Sequence, residues 1–169
     1  VKPGMEMPSV PFIKGIVDLR NHKTEEEIVE IERACDVTAE MHLEAMRVLR
    51  VGMKEYEAAA ALEAVARANG CRLSFPTIAT VCGQTLHNHY YGHTVKEGDM
   101  LLVDAGAETE MGYAGDMSST ICAGKKFTSR QKDEYDIPIY DRVIELYEKI
   151  TGLLRSGVAV AGYALDCYG

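Results

Sequence analysis

The sequence predicts an α+β domain in which helices pack on an antiparallel sheet. Two long segments, Thr24–Arg50 and Lys54–Asn69, carry apolar residues at helical spacing. The segments that follow are short, apolar and bounded by Gly. Two of these, MLLVDAGAE (Met100–Glu108) and GYAGDMSST (Gly112–Thr120), read as strands that each hold one carboxylate, Asp104 and Asp116.

Residues 1–23 form a lead-in whose opening, VKPGMEMPSVP, is punctuated by proline and reads as an inter-domain linker. Residues 24–169 are expected to form one domain. Its first helix begins at Thr24, a plausible N-cap with Glu27 at capping-box spacing. The acidic run Glu25–Glu27 suits a helix N-terminus and needs no binding role. Ile28, Ile31, Cys35, Thr38, Met41, Ala45 and Val48 recur at three and four, which gives one buried stripe, and Gly52 marks the end. The second helix is rich in Ala, permitting close packing, and stops at Gly70. Ser74–Gly83 and Thr85–Tyr90 read as strands, followed by a hairpin of Met100–Glu108 with Met111–Ala123. A third helix is expected from Thr128 to about Arg155, with Pro138 an irregularity near its start. No internal repeat is visible.

Composition narrows the functional classes. A chain of 169 residues with 47% hydrophobic content can bury a core of its own. It has no apolar run of about 18 residues, so no membrane span is expected. A net charge of −8 argues against nucleic-acid binding. Cys35, Cys71, Cys82, Cys122 and Cys167 are odd in number and lack CxxC spacing, which reads as reduced thiols in a cytoplasmic protein. Nothing beyond the presence of thiols and histidines points to cysteine catalysis.

Asp104 and Asp116 carry the most information. A carboxylate inside an apolar strand is costly to bury unless it is paired, hydrogen-bonded or bound to a cation. Two on consecutive strands repel at close range, and a divalent cation removes that repulsion. An even-register hairpin with its turn near Glu110 would point both to one face. Two hard oxygen ligands converging there would begin a site of the Mg or Mn type. Taken singly, an Asp in a strand also reads as an edge residue or a backbone cap.

The other polar clusters have plainer readings. His87, His89 and His93, with Tyr90 and Tyr91, have spacings that could serve zinc, but they read as a substrate-facing or solvated surface. His22 and His42 read as surface and helix-face residues. No Gly-rich phosphate loop is visible.

The run from Leu86 to Asp136 carries LH, KEGD, LLVDAG, YAGD before a Ser/Thr run, and the helix start KFTSRQKDEY. It resembles the metallopeptidases of the pita-bread fold, in the Xaa-Pro aminopeptidase and Xaa-Pro dipeptidase branch. The likeness covers about Arg20 to Arg155. It implies a curved, antiparallel-rich sheet and a dinuclear site held by two Asp, one His and two Glu. Carried over, Asp104 matches the Asp that chelates one metal, Asp116 the Asp that bridges both, and His87 a histidine contacting substrate near the scissile bond. The implied cofactors are two divalent ions, Mn first, with Co or Zn as alternatives.

The remaining ligands of that family lie in later segments that do not occur in this sequence. All five histidines precede Asp104, and no catalytic residue is assigned with certainty. The expectation is therefore the N-terminal half of a catalytic domain. The implied activity is hydrolysis of Xaa-Pro bonds by a metal-bound hydroxide, with the chain inactive alone. Its implied partners are peptides with proline second and further copies of itself, covering the face left open by the missing half. The alternative is a non-catalytic pita-bread module that binds peptides or protein partners. Retention of both Asp residues favours the peptidase.

Overall fold

The computed structural model describes residues 9–85, 87–124 and 129. The expected third helix, Pro138 and Cys167 lie outside the described residues, as do residues 1–8 of the lead-in. The chain divides into two compact units, Val1–Ile28 with Pro138–Gly169, and Val29–Ile137.

In the first unit, helix α1 (Val10–Asn21) occupies part of the lead-in. Ser9 caps it, its Oγ accepting from Phe12 N at 3.4 Å, and Pro11 sits in the first turn, where its missing N–H costs nothing. Helix α2 (Glu25–Val48) starts in this unit with the expected capping box. Thr24 N donates to Glu27 Oε2 at 2.7 Å, and Glu27 N donates back to Thr24 Oγ1 at 3.3 Å.

Within the second unit, α2 buries Thr38, Met41 and Ala45 as the spacing predicts, while Ile31, Cys35 and Val48 are only half-buried. Ala34, Val37 and His42 are buried instead. Helix α3 (Glu55–Ala68) is entered through a second box, with Lys54 N donating to Glu57 Oε2 at 2.7 Å. It buries Ala58, Ala59, Leu62 and Ala66, and closes at Gly70 with φ 72°, a left-handed position that suits glycine.

Five short strands follow: β1 (Arg72–Leu73), β2 (Ile78–Thr80), β3 (Met100–Ala105), β4 (Ala107–Glu108) and β5 (Met117–Cys122). All described pairings are antiparallel, in the orders β2-β3-β5 and β1-β4. Leu101, Val103 and Ala105 of β3 point inward to a core shared with Met41, Leu62, Val95 and Ile121. Among the described residues, no helix is long and apolar enough to cross a membrane.

Three strand expectations are corrected. Ser74–Gly83 is strand only over Ile78–Thr80, because Pro76 has no N–H to donate just before it. Of Thr85–Tyr90, Thr85 and His87–Tyr90 form no strand. Thr85 N donates to Cys82 O at 2.9 Å, His87 takes φ 52°, and Asn88 Oδ1 accepts from Tyr90 N at 3.0 Å, so local turns use the groups that a ladder would need. Met100–Glu108 breaks at Gly106 into β3 and β4.

The break has a steric cause. A methyl group on Gly106 would run into the Gly115 carbonyl oxygen and lie 2.9 Å from Ser74 Oγ. Gly115 is hemmed in the same way by Thr38 Oγ1 and the Ala34 carbonyl. Gly106→Ala is expected to lower stability by about 3 kcal/mol, the upper end of overpacking costs, because the obstacle is backbone. Urea unfolding followed by circular dichroism measures this. A midpoint like that of the unaltered protein would refute the close approach.

Candidate functional site

The β3–β5 register sets where the two carboxylates point. Asp104 lies opposite Ser118, and Ala105 opposite Met117. The same alignment continues to the Glu108–Ala114 bridge. The turn is therefore centred at Met111, one residue beyond Glu110, so Asp104 and Asp116 are diagonal neighbours rather than direct partners. Parity survives this shift. Asp104 alternates with inward Val103 and Ala105, and Asp116 shares the parity of Ser118, so both project from the face turned away from the core.

Ser118 Oγ donates to Asp104 Oδ1 at 2.8 Å, which orients that carboxylate. Partial desolvation, then the Asp104 charge, push the Asp116 carboxyl above its usual range, opposed by His42. The two acids therefore feel one another electrostatically. Asp116 stands one residue before β5 rather than inside a strand.

Behind the sheet, α2 presents Ala34, Thr38 and His42 at successive intervals of four, which form one ridge. Thr38 Oγ1 donates to Ala34 O at 2.7 Å and accepts from Ala107 N at 3.0 Å. His42, read from the sequence as a helix-face residue, is 1% exposed. Its Nε2 lies 3.3 Å from Ala105 O and its Nδ1 2.6 Å from Ser119 Oγ. A carbonyl only accepts, so Nε2 carries the proton and Ser119 donates to Nδ1. One imidazole thus ties the residue after Asp104 to the strand that follows Asp116. Burial lowers its pKa below 6.5, against the pull of backbone groups of Ala105 and Met117 and the charges of Asp104 and Asp116.

A second buried polar centre holds the loop that carries His87. The Glu55 carboxylate, 0% exposed at the start of α3, accepts from Thr80 Oγ1 at 3.0 Å, Val81 N at 2.8 Å, His93 N at 3.0 Å and His93 Nδ1 at 2.9 Å. Both ends of the Cys82–Gly92 segment are fastened to this one side chain. His87 itself is exposed with φ 52°, a conformation uncommon outside glycine and found at functional positions. His93 is occupied by Glu55 and His89 is exposed, so the histidine strip does not gather on a common point.

Sequence reasoning passed over His42 and Glu55. His42 sits one residue after Met41 of the predicted stripe, and widening the stripe by one position would have found it. Glu55 carries no such signal, because an acid in a first helical turn already has a reason to be there.

Among the described residues, no group of three or more His, Cys, Asp or Glu side chains gathers as a metal site. What the site offers is two carboxylates on one open face, with one oriented by a hydroxyl and the other destabilised by partial burial and its neighbour's charge. That donor set fits a divalent oxygen-seeking cation, which would relieve the repulsion.

Comparison with known proteins identifies the family. Residues 29–165 match the model of metallopeptidase family M24. The chain belongs to that family. It is 34% identical over 148 residues to an Xaa-Pro aminopeptidase of Escherichia coli, an alignment covering 85% of this chain and 32% of that protein. It is 30% identical over 152 residues to the Homo sapiens Xaa-Pro dipeptidase, covering 85% and 29%.

Two solved structures bear out the pita-bread fold. Zinc-substituted E. coli aminopeptidase P in complex with product aligns with a TM-score of 0.69 at 34% identity, over 80% of this chain and 30% of that one. Proline aminopeptidase P II from Yersinia pestis aligns at 0.65 and 32%, over 68% and 27%. The chain thus spans about a third of the length of these M24 relatives.

Two outcomes are expected. Glu55→Ala strands several buried donors at once and should cost about 3–5 kcal/mol in urea unfolding. A loss under about 1 kcal/mol would show that the loop ends are held by other contacts. The second outcome concerns pH. Between the lowered folded pKa of His42 and 6.5, the unfolded chain binds a proton that the folded chain does not. His42's contribution is therefore complete above 6.5 and is lost as pH falls through that window. His42→Gln should flatten the dependence of the urea midpoint between about pH 7 and pH 5.5. An unchanged slope would assign the dependence to other groups.

Proposed function

We propose that this chain carries part of the catalytic machinery of a divalent-metal-dependent peptidase acting on peptides with proline at the second position. Asp104 and Asp116 contribute metal ligands, and His87 contacts substrate near the scissile bond. The observation that carries this reading is the pair of carboxylates directed to one open face and electrostatically coupled, on a chain of family M24. Identity to an Xaa-Pro aminopeptidase and an Xaa-Pro dipeptidase supports the choice of substrate.

The residues divide the work. Asp104, held by Ser118, offers a fixed oxygen, and Asp116, whose charge is the harder to sustain alone, gains most from a shared cation. A divalent ion bound there supplies Lewis acidity toward a peptide carbonyl and a water of lowered pKa. His42 and the two glycines keep the strands in register from behind. The fastening of the His87 loop at both ends by Glu55 supports the role of His87 in substrate contact, since a held loop loses little entropy when a peptide binds. Two ions per site, manganese before cobalt or zinc, complete the reading. The free thiols of Cys35, Cys71, Cys82 and Cys122 support a reducing, cytoplasmic setting.

Calorimetric titration of the chain with Mn²⁺ tests the ligands directly. Binding in the range of about 10⁻⁴–10⁻³ M is expected, as for sites with few ligands, and should be lost in Asp104→Ala and Asp116→Ala. Unaltered binding in both variants would remove the metal assignment. Activity is tested on the protein as the cell makes it, with Mn²⁺ and an Xaa-Pro dipeptide. Asp116→Ala should lower kcat/KM by at least about 10³-fold. Peptide binding without hydrolysis in the unaltered protein would replace the peptidase with a non-catalytic peptide-binding module.

A further inference from the structure

Cys82 lies at the start of the loop that ends in His93, and the fold brings the two side chains together. Cys82 Sγ is 3.8 Å from His93 Nε2. The other ring nitrogen, Nδ1, lies 2.9 Å from Glu55 Oε2 and 3.0 Å from Oε1. A carboxylate only accepts, so Nδ1 carries the ring proton and Nε2 presents its lone pair to the thiol.

The array is held from several sides. Glu55 also accepts from the His93 backbone N–H at 3.0 Å, and the Tyr90 ring packs edge-on against the imidazole, with centroids 4.9 Å apart. Cys82 N donates to Thr80 Oγ1 at 3.0 Å, and Thr80 Oγ1 donates to Glu55 at 3.0 Å. One buried carboxylate therefore sets the positions of both thiol and imidazole. Glu55 is fully buried, while the His93 side chain is 38% exposed and Cys82 is half-buried, so the reacting end of the array opens toward solvent.

We propose that Cys82 is a nucleophilic thiol served by His93 as general base and Glu55 as the orienting carboxylate, and that its reaction partner is a low-molecular-weight disulfide. The thiol passes its proton to His93 Nε2 as the sulfur attacks one sulfur of the disulfide. A new S–S bond forms at Cys82 and the partner's S–S bond breaks. The Cys82 sulfur is oxidised and the departing sulfur reduced, leaving as a thiol after taking the proton from His93. No metal takes part, so the site is independent of the Asp104–Asp116 reading.

The other described cysteines lack this arrangement. Cys71 is buried with its Sγ 3.7 Å from Asn69 O, and Cys122 Sγ faces Gly124 O at 3.2 Å. Burial, then the charges of Asp36 and Glu32, push the Cys35 thiol up, which disfavours its thiolate.

The test exposes the metal-free chain to glutathione disulfide near pH 7, with quenched time points mapped to individual cysteines by peptide mass spectrometry. Cys82 should acquire glutathione at least about tenfold faster than Cys122 or Cys35. The same chain unfolded in urea should show no such preference, which ties the advantage to the fold. His93→Gln keeps a donor for Glu55 and removes the base, and it should bring Cys82 down to the rate of Cys122. Equal rates at Cys82 and Cys122 in the folded chain overturn the proposal. So does a His93→Gln variant with native circular dichroism and an unchanged Cys82 rate. Should that variant unfold, the comparison of folded and unfolded wild-type chain decides alone.

Discussion

The geometry of the open face depends on a contact made on the opposite side of the sheet. The ridge Ala34–Thr38–His42 on α2 abuts Gly115, donates to and accepts from the backbone around it, and grips Ala105 and Ser119. Two carboxylates on or beside short strands would drift apart or twist if only the ladder held them. A helix carrying three contacts in line supplies the missing stiffness. Apolar burial drives α2 onto the sheet, but it is non-directional. The hydrogen bonds of Thr38 and His42 select the axial position at which it stops. Here the polar atoms specify and the apolar atoms stabilise.

Glu55 applies the same logic at the edge of the domain. A fully buried carboxylate is tolerated when enough donors surround it, and this one has two backbone amides, a hydroxyl and an imidazole. Those donors come from the two ends of one loop, so satisfying the charge and closing the loop are a single event. The loop between can then hold a strained residue such as His87 without loosening its ends.

How much of this could be read from the sequence follows the range of each interaction. The Thr24–Glu27 cap, the ends of both long helices and the shared face of Asp104 and Asp116 rest on spacings of a few residues or on parity, and all were legible. Parity was forgiving, since the turn is centred one residue away from the expected Glu110 and the carboxylates still share a face. The Thr85–Tyr90 strand failed because Asn88 and His87 make local turns that a pattern of apolar residues does not register. The partners of His42 and Glu55 were illegible for a different reason. They lie 63 and 77 residues away for His42, and 25 to 38 for Glu55, and nothing in a lone polar residue announces a distant acceptor or donor.

The contact between Gly106 and Gly115 has an evolutionary consequence. Gly106 meets the Gly115 carbonyl, and Gly115 meets the Ala34 carbonyl as well as Thr38 Oγ1, so trimming a side chain alone cannot admit a larger residue at either position. Such a unit cannot drift by single compensated steps, whereas the two aspartates beside it project from the face turned away from the core. If the proposed reading holds, a descendant turned to another task could exchange the acids, but it would still need both glycines to close the fold. The pair of glycines is thus bound to the fold itself, and the pair of acids to the chemistry proposed for it.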